Sequence, residues 1–118
     1  MKTILIVDDE REMLEALKRF IEKRKIANIL IATNIDETLK IYQENNKPEA
    51  VFIDLHIGNE SGIDLLKNLK AIEPNIKAYF FTGDKVFADK NPPQKLGICG
   101  YIIKPILPAE LIKIIEGL

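Results

Sequence analysis

Tryptophan is absent from these 118 residues, and there is one cysteine and one histidine. The lone thiol, Cys99, cannot close an intramolecular disulfide, which excludes a disulfide-stapled secreted scaffold and fits a reducing, cytoplasmic setting. The lone imidazole, His56, has no partners with which to build a zinc site. A long hydrophobic run is missing too. The apolar stretch Ile4–Val7 meets Asp8 and Asp9 at once, too short for a signal core or a membrane span. Charge of one sign is not in excess: 17 basic residues stand against 18 acidic ones, a formal −1 that gives no global pull toward nucleic acid or a membrane surface. Neither a linker nor a low-complexity segment interrupts the chain. With 47% hydrophobic and 30% charged residues, it has the size and balance of one globular domain, 1–118.

Five short apolar runs alternate with helical periodicity. Strands are expected at Ile4–Val7, Ile29–Ala32, Ala50–Asp54, Lys77–Thr82 and Gly100–Lys104. Between the first two, Met13, Leu14, Leu17, Phe20 and Ile21 recur at three- and four-residue spacing and predict a helix over 10–25, with Asp9 as its N-cap. Thr33 or Asn34 caps a second helix, and the cluster Asn45-Asn46-Lys47-Pro48 ends it. A loop with two glycines, His56 to Gly62, precedes a third helix carrying Ile63, Leu65, Leu66, Leu69 and Ile72. Val86-Phe87-Ala88 predicts about one helical turn, broken by Pro92-Pro93. Pro105 and Pro108 lead into a final helix ending at Gly117. Cys99, just before the fifth strand, is expected in the core.

Strand–helix alternation of this kind predicts an α/β fold, a doubly wound parallel sheet with helices on both faces. The winding must reverse once. If it does so after the second strand, the order is 2-1-3-4-5, known from flavodoxin-like proteins and not dictated by these residues. Strands one and three are then neighbours at the switch point, where ligands bind in such sheets.

Polar residues stand at the strand ends: Asp8 and Asp9, Asp54, Thr82 and Lys104. Singly, each has an ordinary explanation as a cap, a strand end or a solvated lysine. Asp54 resists it best, because a carboxylate ending an apolar strand is costly unless paired. Clustered carboxylates resist joint ionisation without a cation among them, and an all-oxygen donor set points to Mg²⁺. Magnesium shares itself readily with phosphate. The set predicts phosphoryl transfer, with Asp54 as nucleophile, Lys104 neutralising charge and the Thr82 hydroxyl donating to a phosphoryl oxygen.

Val7-Asp8-Asp9-Glu10, Phe52-Ile53-Asp54-Leu55, Thr82-Gly83 and Tyr101-Ile102-Ile103-Lys104-Pro105, with Gly62 eight residues after Asp54, resemble the signature set of response-regulator receiver domains along essentially the whole chain. The resemblance implies a two-component switch that accepts phosphate on Asp54 from a histidine kinase or a phosphotransfer protein. Mg²⁺ would be held by Asp8, Asp9, Asp54 and the backbone carbonyl of His56. Thr82 and Tyr101 would be switch residues, and Lys104-Pro105 a cis peptide. The output would be a shift of the face built by helix four, strand five and helix five, read by a downstream effector protein or domain or by a phosphorylation-dependent homodimer. Such a domain is not a conventional enzyme, since its transfer and dephosphorylation are self-directed. The chain departs from the family in having Ile57-Gly58 where Met-Pro is common, and in the prolines inside helix four. It is expected to be either a stand-alone regulator or a receiver excised from a longer protein. Two rivals remain. A pseudo-receiver would act only as an interaction module. An aspartyl phosphatase of the haloacid dehalogenase type would want Asp-x-Asp where this chain has adjacent Asp8-Asp9.

Overall fold

Parity along the strands sorts the core into two layers. In β1 (Thr3–Val7), Leu5 and Val7 point to one face and Ile4 and Ile6 to the other, all fully buried. The same alternation runs through β3 (Ala50–Asp54), where Val51 and Ile53 join the first layer and Ala50 and Phe52 the second. With β2 (Asn28–Ala32), β4 (Lys77–Thr82) and β5 (Gly100–Ile103), these strands form one parallel sheet, ordered β2-β1-β3-β4-β5. This is the doubly wound order expected from the sequence. The computed structural model describes residues 1–44 and 46–118. Asn45, placed in the turn after the second helix, lies outside the described residues.

Each face is covered by helices whose apolar stripes match it. Leu14, Leu17 and Ile21 of α1 (Arg11–Lys23) and Leu111 and Ile115 of α6 (Pro108–Glu116) pack on Ile4, Ile6, Phe52 and Phe81. On the opposite face, Leu65, Leu66 and Leu69 of α3 (Gly62–Ile72) lie over Leu5, Val51 and Phe80, with Ile35 and Leu39 of α2 (Ile35–Gln43) alongside. Burying one such side chain contributes about 1.5–3 kcal/mol. The sheet is therefore the rigid part from which the loops project.

Several local details differ from the sequence reading. Asp9 does not cap α1; the cap position is Glu10, with no side-chain cap bond, and the Glu10 N–H instead reaches the Asp8 carboxylate at 3.1 Å. Asn34, not Thr33, caps α2, accepting from the Glu37 N–H at 2.8 Å. Ile72, on the last turn of α3, is exposed, unlike Leu65, Leu66 and Leu69. Cys99 is exposed as well, and Ile98 takes the core position. The prolines end one helix and also begin another. Lys85–Lys90 forms α4, capped by Asp84, and Pro93 opens a short α5 (Pro93–Leu96), since a proline lacks only an N–H that the first helical position leaves unpaired. Strand β5 ends at Ile103, so Lys104 is the first residue beyond it, and the Lys104-Pro105 peptide is cis. The loop after β3 is ordered into a small antiparallel hairpin, His56–Ile57 with Glu60–Ser61. Gly58 opens its two-residue turn at a φ of 63°, which a side chain would resist.

Gly62 closes that hairpin onto the sheet. Its N–H donates to the Leu55 carbonyl at 2.8 Å, and a Cβ there would run into the backbone carbonyl of Asp54. Alanine would gain up to about 1 kcal/mol in helix propensity, but the obstacle is strand backbone that cannot yield without moving Asp54. Gly62→Ala is expected to lower stability by a net ~1–3 kcal/mol in chemical denaturation; an unchanged or raised midpoint contradicts this packing.

Candidate functional site

Register brings the strand-end residues together. Val7 pairs with Ile53, so Asp8 and Asp54, each one residue further on, sit side by side at the switch point. Asp54 pairs with Phe81, which puts Thr82 on the next strand one step beyond it. Thr82 pairs with Ile103, and the Lys104 N–H donates to the Thr82 carbonyl at 2.8 Å. Four separate strands thus deliver the sequence-predicted residues to one edge.

Asp8 and Asp54 are held the same way. One oxygen of each accepts a backbone N–H two residues on, Glu10 at 3.1 Å and His56 at 3.2 Å. The other oxygen of each accepts from the Lys104 ammonium, at 3.0 Å from Asp8 and 2.9 Å from Asp54. Asp8 is fully buried, Asp54 nearly so, and the Lys104 side chain is partly exposed. Burial alone would pull the ammonium pKa down. The hydrogen bonds and charges of Asp54 and Asp8 outweigh it and hold Lys104 above the ordinary lysine value.

Asp9 completes the cluster from the exposed side. One carboxylate oxygen from each of Asp8, Asp9 and Asp54 lies within 4.8 Å of the others. Three carboxylates facing one ammonium leave the site short of positive charge, and the donors are all hard oxygens. That donor set fits an oxygen-seeking divalent cation and suits zinc poorly.

The other candidates lie around this centre. Thr82 is buried, and its Oγ1 accepts the Asp84 N–H at 2.9 Å. The His56 ring is exposed on the hairpin beside Asp54. Tyr101 is half-buried under α4, and its hydroxyl donates to the Asn91 carbonyl at 2.7 Å, at the break between α4 and α5. Its ring lies 6.3 Å from that of Phe80.

Sequence reading missed a second polar group beside the carboxylates. Glu37 accepts the Thr33 hydroxyl at 2.6 Å, the Thr33 N–H at 2.7 Å and the Arg11 guanidinium at 3.0 Å. The Thr33 bonds, then the Arg11 charge, hold its carboxyl below the usual glutamate range despite the cost of burial. A signal was available, since Asn34 followed by Glu37 has the spacing of a capping box. Glu60, which accepts the Ile35 N–H at 2.9 Å, gives no such signal.

The chain is similar to known proteins along nearly its whole length. The family model for the response regulator receiver domain matches residues 4–116. The chemotaxis protein CheY of Thermotoga maritima is 32% identical over 112 residues, covering 95% of this chain and 92% of that protein. The transcriptional regulatory protein YvrH of Bacillus subtilis is 32% identical over 109 residues, 92% of this chain but 45% of that protein. The chain spans about half the length of the first curated relatives it matches. Among solved structures, a response regulator from Burkholderia pseudomallei, with a phosphorylated aspartic acid, calcium ion and citrate, is 30% identical with a TM-score of 0.78, over 95% of this chain and 65% of that one.

Lys104 is the only partner holding both buried aspartates, among the described residues. Lys104→Met would leave Asp8 and Asp54 facing each other unneutralised. The metal-free protein is expected to lose roughly 2 kcal/mol near neutral pH, less than for a fully buried pair because the Lys104 side chain is partly exposed. Urea denaturation in chelator checks this; a variant as stable as wild type contradicts the clasp.

Proposed function

The chain belongs to the response-regulator receiver family, and from that premise we propose that residues 1–118 form one receiver domain that accepts a phosphoryl group on Asp54. The observation that carries the proposal is the meeting of Asp8, Asp9 and Asp54, with Lys104 bridging the two buried members.

Asp54 is the nucleophile. A carboxylate oxygen attacks phosphorus, the bond from phosphorus to the donor breaks, and the donor leaves with the bonding pair. Hydrolysis of the resulting acyl phosphate restores the carboxylate and releases phosphate. Lys104, freed from full engagement with Asp54, offers its ammonium to a phosphoryl oxygen, and the Thr82 hydroxyl supplies a further donor. Asp8, Asp9, Asp54 and the His56 backbone carbonyl would hold Mg²⁺, which supplies the positive charge that phosphoryl transfer needs. The calcium ion and phosphorylated aspartic acid of the Burkholderia regulator are consistent with this assignment. Its chemistry is self-directed, so the domain is a switch rather than an enzyme acting on other substrates.

Thr82 and Tyr101 would transmit the change. If Thr82 moves toward the phosphoryl group, Tyr101 gains room beneath α4 and gives up the Asn91 carbonyl. The output face is then α4, α5, β5 and α6, with the proline break inside it. Phosphate would come from a histidine kinase or a phosphotransfer protein, for which the recess beside Lys104 lined by Met13, Leu17, Pro105 and Ile106 offers an apolar seat. The reader would be an effector protein or domain, or a second copy of the chain. No helix among the described residues is long and apolar enough to cross a membrane, and the exposed Cys99 thiol suits the reducing cytoplasm. The pseudo-receiver alternative has no observation in its favour, because the acidic set is complete.

Intact mass after incubation with acetyl phosphate and Mg²⁺ tests the proposal. One phosphoryl group is expected on the wild-type chain, dependent on Mg²⁺ and absent from Asp54→Asn. No addition, or addition that survives the substitution, contradicts it.

A further inference from the structure

Both loops that carry the clustered carboxylates are fastened to one place, the first turn of α2. Arg11, two residues past Asp9, donates to both oxygens of Glu37 at 3.0 Å. Glu37 is itself fixed by Thr33 at the end of β2. From the other side, Glu60 reaches across from the hairpin, and its carboxylate accepts the N–H of Ile35, the first residue of α2. That N–H is one of the donors a helix start leaves unpaired, and a charged acceptor makes the bond a strong one.

Glu60 holds the hairpin at a sensitive point. It pairs with Ile57, next to His56, whose N–H in turn binds the Asp54 carboxylate at 3.2 Å. A cleft of about 250 Å³ lies beside the hairpin, bounded also by Ile63 and Phe87, so the hairpin has room to shift if this tether goes. The carboxylates of Asp9 and Asp54 repel each other, and the loops bearing them stay in place only as firmly as they are anchored. We propose that Glu60 is a positioning residue that, through its bond to the α2 start, sets the spacing of the divalent-cation site. The inference rests on the reading of Asp8, Asp9 and Asp54 as that site.

Two mild substitutions separate tether from charge. Glu60→Gln loses the charge but keeps an oxygen that can accept the Ile35 N–H. Glu60→Asp keeps the charge but is one methylene too short to reach. Mg²⁺ titration followed by amide NMR shifts, with hydrogen exchange of the metal-free proteins, reads both effects. Glu60→Asp is expected to weaken Mg²⁺ binding roughly threefold to tenfold, below the usual effect of a group bonded directly to a metal ligand. It should also speed exchange across residues 56–61 without Mg²⁺. Glu60→Gln is expected to stay within about twofold of wild type in Mg²⁺ affinity, whereas a purely electrostatic role would make it the weaker variant. Weaker binding by Glu60→Gln alone, or equal binding by all three proteins, overturns the proposal. Wild-type protein that binds no Mg²⁺ overturns the cation-site reading itself, and this inference with it.

Discussion

One ammonium between two buried carboxylates organises the functional edge of this protein. Lys104 bonds Asp8 and Asp54 at about the same distance, 3.0 and 2.9 Å, and supplies the positive charge that faces both buried carboxylates. The clasp joins the end of β5 to the ends of β1 and β3, so it spans the switch point. It also sets up the proposed chemistry. Asp9 adds a third carboxylate that Lys104 does not bind, and the surplus negative charge gives a divalent cation a reason to bind there.

The sheet makes the clasp geometrically automatic. Parallel register fixes where each strand ends, and the two apolar layers fix which way each side chain points. Asp8, Asp54 and Thr82 each use an oxygen to accept the N–H two residues later, so three strands turn into their loops by the same device. The loops differ in how they are anchored beyond that. Arg11 and Glu60 tie theirs to α2, whereas the segment after β4 is held through the Tyr101 hydroxyl at the α4–α5 break. Rigid strands thus place the reacting groups, and the side-chain ties decide how freely the surrounding loops move.

Much of this was legible in the sequence because it follows from patterns with a short repeat. The five apolar runs and the carboxylate closing Ala50–Asp54 announced the sheet and its edge, and the set in register at the strand ends pointed to the family. What escaped did so for physical reasons. Glu60 finds its partner in a backbone amide 25 residues away, a contact with no local signature. Cys99 was placed inside because a small apolar residue before a strand is usually buried, but Ile98 fills that space. Pro92-Pro93 read as a stop, although proline suits the first position of the helix that follows it. His56 to Gly62 read as a loop with two glycines, and a two-residue turn at Gly58 closes it into a hairpin instead.

If Asp8, Asp9 and Asp54 form a divalent-cation site whose charge Lys104 only partly offsets, Mg²⁺ should stabilise the folded chain. Urea denaturation of wild type and Asp9→Asn across a series of Mg²⁺ concentrations tests it most directly, because a ligand that binds only the folded state raises its stability. Above the dissociation constant, wild type should gain about 1.4 kcal/mol for each tenfold rise in Mg²⁺. Asp9→Asn should be at least as stable as wild type in chelator, relieved of one like charge, and should gain much less from Mg²⁺. Equal gains in the two proteins, or none in wild type, would contradict the account.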